Sequence, residues 1–221
     1  MIAEELINQM IPPLKVYDTV DKALRWMDEF RVNELAVARN RKYIGLATEV
    51  SLIELNDRNL TLEQVKLEFQ DVHVMHFQHF YDVMEVAIKN KIQVVPVLDE
   101  VQEFMGIITI NDTLAAFGQM SALQGQGSIL VLSMPERDYS LSQISRLIEE
   151  ENAKILSAYV SPDELDPYNI KLTLKLNTTD LTRIIATLER FEYRITAQFQ
   201  DGSNYDVGRD RLDMLLKYLD I

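Results

Sequence analysis

Apolar and polar positions along the chain repeat at a constant spacing. Val20, Ala23, Leu24 and Met27 fall at intervals that place them on one face of a helix. Sixty residues on, Phe80, Val83, Met84 and Ala87 stand at the same four positions. Val32 and Val37 recur as Ile92 and Val97. Each predicted helix is followed by a β-branched run, a turn near 39–42 or 99–103, and a second extended run at 43–48 or 104–109. The glycines of these runs, Gly45 and Gly106, are 61 apart, so the second turn carries one extra residue. Turns absorb such insertions at little cost. A further helix is expected to close each copy, at 50–56 and 112–120. Each copy therefore reads as a short extended segment, then helix, strand, strand and helix.

The pattern changes after Gly125-Gln126-Gly127-Ser128, which marks a flexible junction. A strand is predicted at 129–134, stopped by Pro135. Ser140 and Gln143 have the spacing of a capping box. They open a helix with an apolar face of Leu141, Ile144, Leu147 and Ile148. A strand follows at 155–160. Ile170, Leu172, Leu174 and Leu176 then alternate with polar residues, as in a half-buried strand. Leu181, Ile184, Ile185 and Leu188 stripe a second helix, and 193–199 gives a last strand. The order βαββαβ makes an antiparallel sheet with both helices on one face. After a polar loop at 201–207, Leu212, Leu215, Leu216 and Leu219 predict a terminal helix docked on its own domain. The fold class is mixed α+β.

Composition narrows the function. Apolar residues are 47% of the 221, enough for two cores. With no cysteine, disulfides, thiolate metal sites and cysteine nucleophiles are excluded. A net charge of −13 opposes nucleic acid and anionic membranes. Arg39, Arg41 and Lys42 read as a solvated turn. No apolar run approaches the roughly 20 residues that span a bilayer. The first residues carry Glu4 and Glu5 where a signal peptide needs bases, so a cytoplasmic protein is expected.

Two runs carry a resemblance. Val95-Pro96-Val97 and Gly106-Ile107-Ile108-Thr109-Ile110-Asn111-Asp112, with their counterparts one repeat earlier, resemble a tandem CBS pair, a Bateman-type module. The resemblance covers 1–122, with repeat one at 1–60 and repeat two at 61–122. A linker at 123–127 follows. The βαββαβ unit at 128–200 has ferredoxin-like order and is similar to an ACT domain, and 201–221 form the terminal loop and helix. Where the ACT family's first loop has a ligand-admitting glycine, Tyr139 or Ser140 stands here and obstructs an amino acid. The whole arrangement is similar to the acetoin-utilisation family of bacterial proteins. It implies a homodimer, a regulatory rather than enzymatic role, and an unidentified protein partner.

By resemblance, Asp112 receives ribose hydroxyls and Thr109 lies near a phosphate, while Gln93, Val94 and Pro96 border the ligand. A carboxylate accepts two hydroxyls at once, and a helix N-terminus favours an anion. The same Thr-x-x-Asp spacing is also a helix cap, and the sequence leaves both readings open. Ser51 replaces the aspartate in repeat one, so at most one nucleotide site per chain is expected. Neither Gln93 nor Val94 is cationic, which favours AMP or another weakly charged adenosyl compound over a polyphosphate. No resident cofactor is implied. His73, His76 and His79 invite a metal, but an extended segment turns alternate residues to opposite faces. No catalytic constellation stands out. The alternative is a constitutive interaction or scaffold protein with a vestigial site.

Overall fold

The computed structural model describes residues 1–119, 126–164 and 166–200. Two compact units divide the chain, Met1–Gln119 and Met120–Ile221. The first part of the expected linker, 123–125, and the expected terminal loop and helix, 201–221, lie outside the described residues.

In the first unit the sequence repeat is also a repeat in space. One copy comprises β1 (Leu14–Lys15), α1 (Val20–Phe30), β2 (Glu34–Arg39), β3 (Lys42–Thr48) and α2 (Glu49–Ile53). The other comprises β4 (Val74–Met75), α3 (Phe80–Asn90), β5 (Val94–Leu98), β6 (Phe104–Thr109) and α4 (Ile110–Gly118). Each makes a three-stranded sheet whose first pair is parallel and second antiparallel. Even the register recurs: Leu14 lies opposite Val37 as Val74 lies opposite Val97. Val37 faces Gly45 as Val97 faces Gly106, and each ladder bulges at the next residue.

The helices bury the expected stripe. Val20, Ala23 and Met27 are buried on α1, and Phe80, Val83 and Ala87 on α3. Leu24 and Met84, at the stripe's margin, are only partly covered. Thr19 caps α1 and His79 caps α3. Both helices end in a left-handed residue, Arg31 at φ 55° and Lys91 at φ 56°. A residue with a Cβ holds that conformation at a cost of about 1 kcal/mol.

The closing helices differ from expectation. α4 begins two residues early because Thr109, not a later residue, caps it. α2 is only five residues long, since Leu52 is its one buried side chain while Val50 and Ile53 face solvent.

Two segments are exchanged between the copies. Residues 60–68 lie on repeat one: Val20 N–H donates to Leu60 O at 2.9 Å and Leu62 N–H to Asp18 O at 2.9 Å. Leu46 and Glu68 exchange both backbone hydrogen bonds, at 2.7 and 2.9 Å. Residues 1–8 lie on repeat two: Ala3 N–H donates to Gln78 O at 2.8 Å, Glu4 N–H to His76 O at 3.0 Å, and Asn8 N–H to Ile107 O at 2.8 Å. Glycine is required where each segment crosses its sheet. A Cβ on Gly45, at φ +151°, meets Glu68 O at 2.8 Å, and one on Gly106 meets Ile7 Cγ2 at 2.5 Å.

The hairpin tips also join. Phe104 N–H donates to Arg41 O at 2.7 Å, the rings of Tyr43 and Phe104 stack at 6.3 Å, and Arg41 pairs with Glu103 at 2.9 Å. Arg39 pairs with Glu63. In this exposed basic turn Arg39 and Arg41 are thus paired with acids, not simply solvated.

The second unit comprises β7 (Ser128–Pro135), α5 (Leu141–Glu150), β8 (Ile155–Pro162), β9 (Asn169–Leu176), α6 (Thr182–Arg190) and β10 (Arg194–Phe199). Its antiparallel sheet runs β10-β7-β9-β8. Leu130, Leu132, Leu172, Leu174 and Leu176 share one core with Ile144, Leu147, Ile148, Ile184 and Leu188 of the helices. Ser140 caps α5 by accepting from Gln143 N–H, but the return bond expected of a capping box is not made. Ser140 Oγ lies instead 3.1 Å from Ser142 Oγ.

Gly45→Ala is expected to destabilise the first unit by about 2 kcal/mol, through left-handed strain and the clash with Glu68 O. The check is the chemical-denaturation midpoint. An unchanged midpoint would mean that residues 60–68 yield without cost.

Candidate functional site

Thr109 ends β6 and begins α4, where the chain leaves the sheet edge. Its Oγ1 accepts from Asp112 N–H at 3.1 Å and donates to Asp112 Oδ2 at 2.6 Å. Thr109 N–H also donates to Asp112 Oδ2, at 2.9 Å. This is a complete capping box. Asn8, from the exchanged segment, adds its Nδ2 at 3.0 Å from both carboxylate oxygens. Its own Oδ1 accepts from Met10 and Ile11 N–H. Three of these contacts fall on Oδ2 and one on Oδ1, so the carboxylate of Asp112 is largely engaged from within the chain while Oδ1 keeps acceptor capacity.

Repeat one has the same cap without the carboxylate. Thr48 Oγ1 accepts from Ser51 N–H at 3.3 Å, and the two hydroxyls are 2.8 Å apart.

Beside the cap is a cleft of about 250 Å³ lined by Arg31, Val32, Gln93, Thr109, Ile110 and Asn111. Of the residues expected from sequence, Gln93 and Thr109 meet here. Val94 and Pro96 are buried within β5 and do not line it, because strand alternation and the two covered faces take them into the core. Asp112 reaches the cleft only through its cap to Thr109. Lys91 caps α3 elsewhere, and Lys89 lies on the outer surface of that helix.

Arg31 is the residue that sequence reasoning missed. It crosses from repeat one and supplies the cation that neither Gln93 nor Val94 provides. The signal was present in the repeat itself, because Arg31 is the counterpart of Lys91, and both occupy the left-handed end of their helix. The first-turn N–H of Asn111 has no hydrogen-bond partner among the described residues. Arg31 and a helix N-terminus thus border one small cleft, an arrangement that attracts an anion.

A buried acid fixes the cleft's wall. Gln93 N–H donates to Glu34 Oε2 at 3.0 Å, and Gln93 O accepts from Ile110 N–H at 2.9 Å. Burial pushes the Glu34 carboxyl above its ordinary range; the Gln93 bond opposes this and the charge of Glu49 adds to it. At the corresponding place in repeat one, Glu49 stands where Ile110 does, and its N–H donates to Asn33 O at 2.8 Å. Glu49 thus adds an acid at that helix start, while Lys91 is the counterpart of Arg31.

The histidines are spread along an extended segment. His76 Nδ1 lies 3.2 Å from Glu4 Oε2, His79 caps α3, and the buried His73 Nδ1 has no hydrogen-bond partner among the described residues. Among the described residues no group of three or more His, Asp or Glu is placed to hold a metal. No helix of the described residues is long and apolar enough to cross a membrane.

Comparison with known proteins gives no matching family model. An inosine-5'-monophosphate dehydrogenase of Methanocaldococcus jannaschii is 21% identical over 150 residues, 67% of this chain. The chain spans 30% of that relative's length. Solved structures similar to this chain are CBS-domain-pair proteins. A CBS domain pair/ACT domain protein of Thermotoga maritima is 22% identical and matches 53% of this chain and 96% of its own, at a TM-score of 0.47. A putative acetoin utilization protein of Vibrio cholerae is 19% identical over 56% of this chain and 95% of its own, at 0.48. CBSX2, solved in complex with AMP, is 18% identical over 53% and 96%, at 0.46.

The raised carboxyl of Glu34 makes a pH prediction. The folded state binds this proton more tightly than the unfolded chain does. Glu34 therefore favours the fold below the ordinary carboxylate range and loses that contribution as pH rises through its raised value. Glu34→Gln keeps an acceptor for Gln93 N–H and buries no charge. It is expected to gain stability relative to the wild type between about pH 4 and about pH 7. Urea-unfolding midpoints of both proteins across that range read it out. A constant difference would show that Glu34 does not titrate differently on folding.

Proposed function

We propose that this chain is a non-enzymatic regulatory protein of the cytoplasm that senses an adenosyl compound, AMP above all, through repeat two. The observation that carries the reading is the cleft joining Arg31 of repeat one to Gln93, Thr109 and Asn111 of repeat two. Arg31 and the α4 N-terminus take one phosphate. The small volume and single cation suit a monophosphate better than a polyphosphate. A ribose hydroxyl at Asp112 competes with the amide of Asn8, and displacing that amide loosens residues 1–8 from repeat two. Ligand binding is thereby converted into a backbone change. The second unit acts as an ACT-like domain that transmits this change, or a protein partner reads it. The chain works as a homodimer, holds no resident cofactor and avoids nucleic acid, consistent with its charge of −13.

A second reading, a constitutive interaction protein with a vestigial site, has two observations in its favour. The carboxylate of Asp112 is already engaged by its cap and Asn8. α3 also exposes Tyr81, Met84 and Ile88 on one face.

Thermal-shift titration with AMP, ADP, ATP, adenosine and S-adenosylmethionine separates the two. AMP at 100 times its dissociation constant is expected to add about 2.7 kcal/mol to stability. Arg31→Ala should abolish the preference for AMP over adenosine, and Asp112→Ala should weaken both. No shift with any of the five compounds would leave the interaction reading in place.

A further inference from the structure

Both helices of the second unit pack on one face of its sheet, where they share a core with Leu130, Leu132, Leu172 and Leu174. Strand alternation turns the residues between these leucines to the other face. There the register sets Tyr159, Thr173, Val131 and Ala197 in one row across all four strands. Ile129 and Phe199 lie in the next row, beside Lys175. No helix of this unit among the described residues lies over these rows. Tyr159 is exposed by 60% and Phe199 by 39%, while Ile129 and Val131 are half-buried. A sheet with apolar side chains on both faces calls for a packed layer on each.

The charge on these rows is one-sided. Lys171 and Arg194 flank Ser133 in a third row, and Lys175 stands in the second. Arg194 is exposed and has no ion-pair partner among the described residues. A cleft of about 460 Å³ opens on this face between Arg194, Lys171 and Val131. Asp163 and Asp166 line it too, but both are engaged. Asp163 holds Ser133 Oγ at 2.8 Å and Lys171 Nζ at 3.2 Å, and Asp166 accepts from Tyr168 N–H and Asn169 Nδ2.

Residues 201–221 follow β10, the edge strand of this face, and their sequence has the complementary chemistry. Leu212, Leu215, Leu216 and Leu219 fall at helical spacing. On such a helix Asp213 and Asp220 stand on one side of the leucine stripe. Across the segment, Asp201, Asp206, Asp210, Asp213 and Asp220 outnumber Arg209, Arg211 and Lys217. Its length also fits. A helix over 209–221 extends about 20 Å, and four strands span about 14 Å. Residues 201–208 reach up to about 26 Å when extended, enough to return from the edge strand across the sheet.

We propose that residues 209–221 are the second layer of this sheet: an amphipathic helix that docks on the open face, its leucines against Val131, Thr173 and Tyr159 and its acids toward Arg194 and Lys175. The docked helix closes the cleft and occupies the apolar surface by which a partner would otherwise reach the sheet. It does not depend on whether a nucleotide binds.

Cross-linking of the full chain tests it, and the lack of native cysteine makes introduced pairs unambiguous. Thr173→Cys with Leu216→Cys should be joined within one chain by a short bis-maleimide. The control is Glu149→Cys with Leu216→Cys, since Glu149 is exposed on α5 at the opposite face. The first pair is expected to react roughly tenfold faster than the control. Leu212→Asp combined with Leu219→Asp should remove that preference, and Arg194→Glu should slow the first pair about threefold. Unchanged circular dichroism verifies folding of each variant. Equal rates for the two pairs overturn the proposal. Joining between chains, at a rate that rises with protein concentration, also overturns it and assigns the face to a second copy. A preference that survives the leucine substitutions overturns the role of the stripe.

Discussion

The exchange of residues 1–8 and 60–68 is the constraint on which the first unit depends. A backbone segment lying on a sheet needs partners for its N–H and C=O groups. Each segment finds them on the copy to which it does not belong by sequence count, at Asp18 and Leu46 on one side and at His76, Gln78 and Ile107 on the other. The two glycines let the segments approach closely enough to bond. The functional geometry follows from this exchange. Asn8 arrives at Asp112 because residues 1–8 are docked on repeat two. The joined hairpin tips and the bond from Gln93 to Glu34 then hold the copies against each other, and that juxtaposition brings Arg31 into the cleft.

The two copies share a backbone plan but differ in electrostatics. Repeat two offers an arginine and the first turn of α4 to an incoming ligand. The corresponding helix start of repeat one carries the acid Glu49, and Ser51 in place of the aspartate. The duplicated framework therefore presents different side chains at its two helix starts. The expectation of at most one site rested on Ser51, and Glu49 is a second difference between the copies in the same turn.

Much of the framework was legible because it is local. Helix stripes, β-branched runs and the 61-residue glycine offset depend on neighbours in sequence, and they reappear as β1 to α4 with matching register. The length of α2 was not legible, because Val50 and Ile53 look like core residues in a pattern and face solvent in the fold. The Thr109–Asp112 spacing was ambiguous for a chemical reason: the groups that hold a sugar and a phosphate are those that cap a helix. The structure forms the cap, and only a long-range contact from Asn8 reveals that the carboxylate is already engaged. Arg31 was hidden for the same reason, since a cation supplied across the repeat boundary leaves no mark in the run it serves.

The exchange also bears on the order in which the chain acquires structure. Residues 1–8 are synthesised about a hundred residues before β6, the strand that receives them, so they wait without a partner while repeat one is translated. Repeat one is likewise incomplete until residue 68 has been made, well past its own last helix. Contacts so distant in sequence slow folding, because loop closure precedes the reward of pairing. Translation thus builds two half-finished layers that lock together near the end of the unit, and neither copy, cut out alone at residue 60, would retain both sides of its sheet.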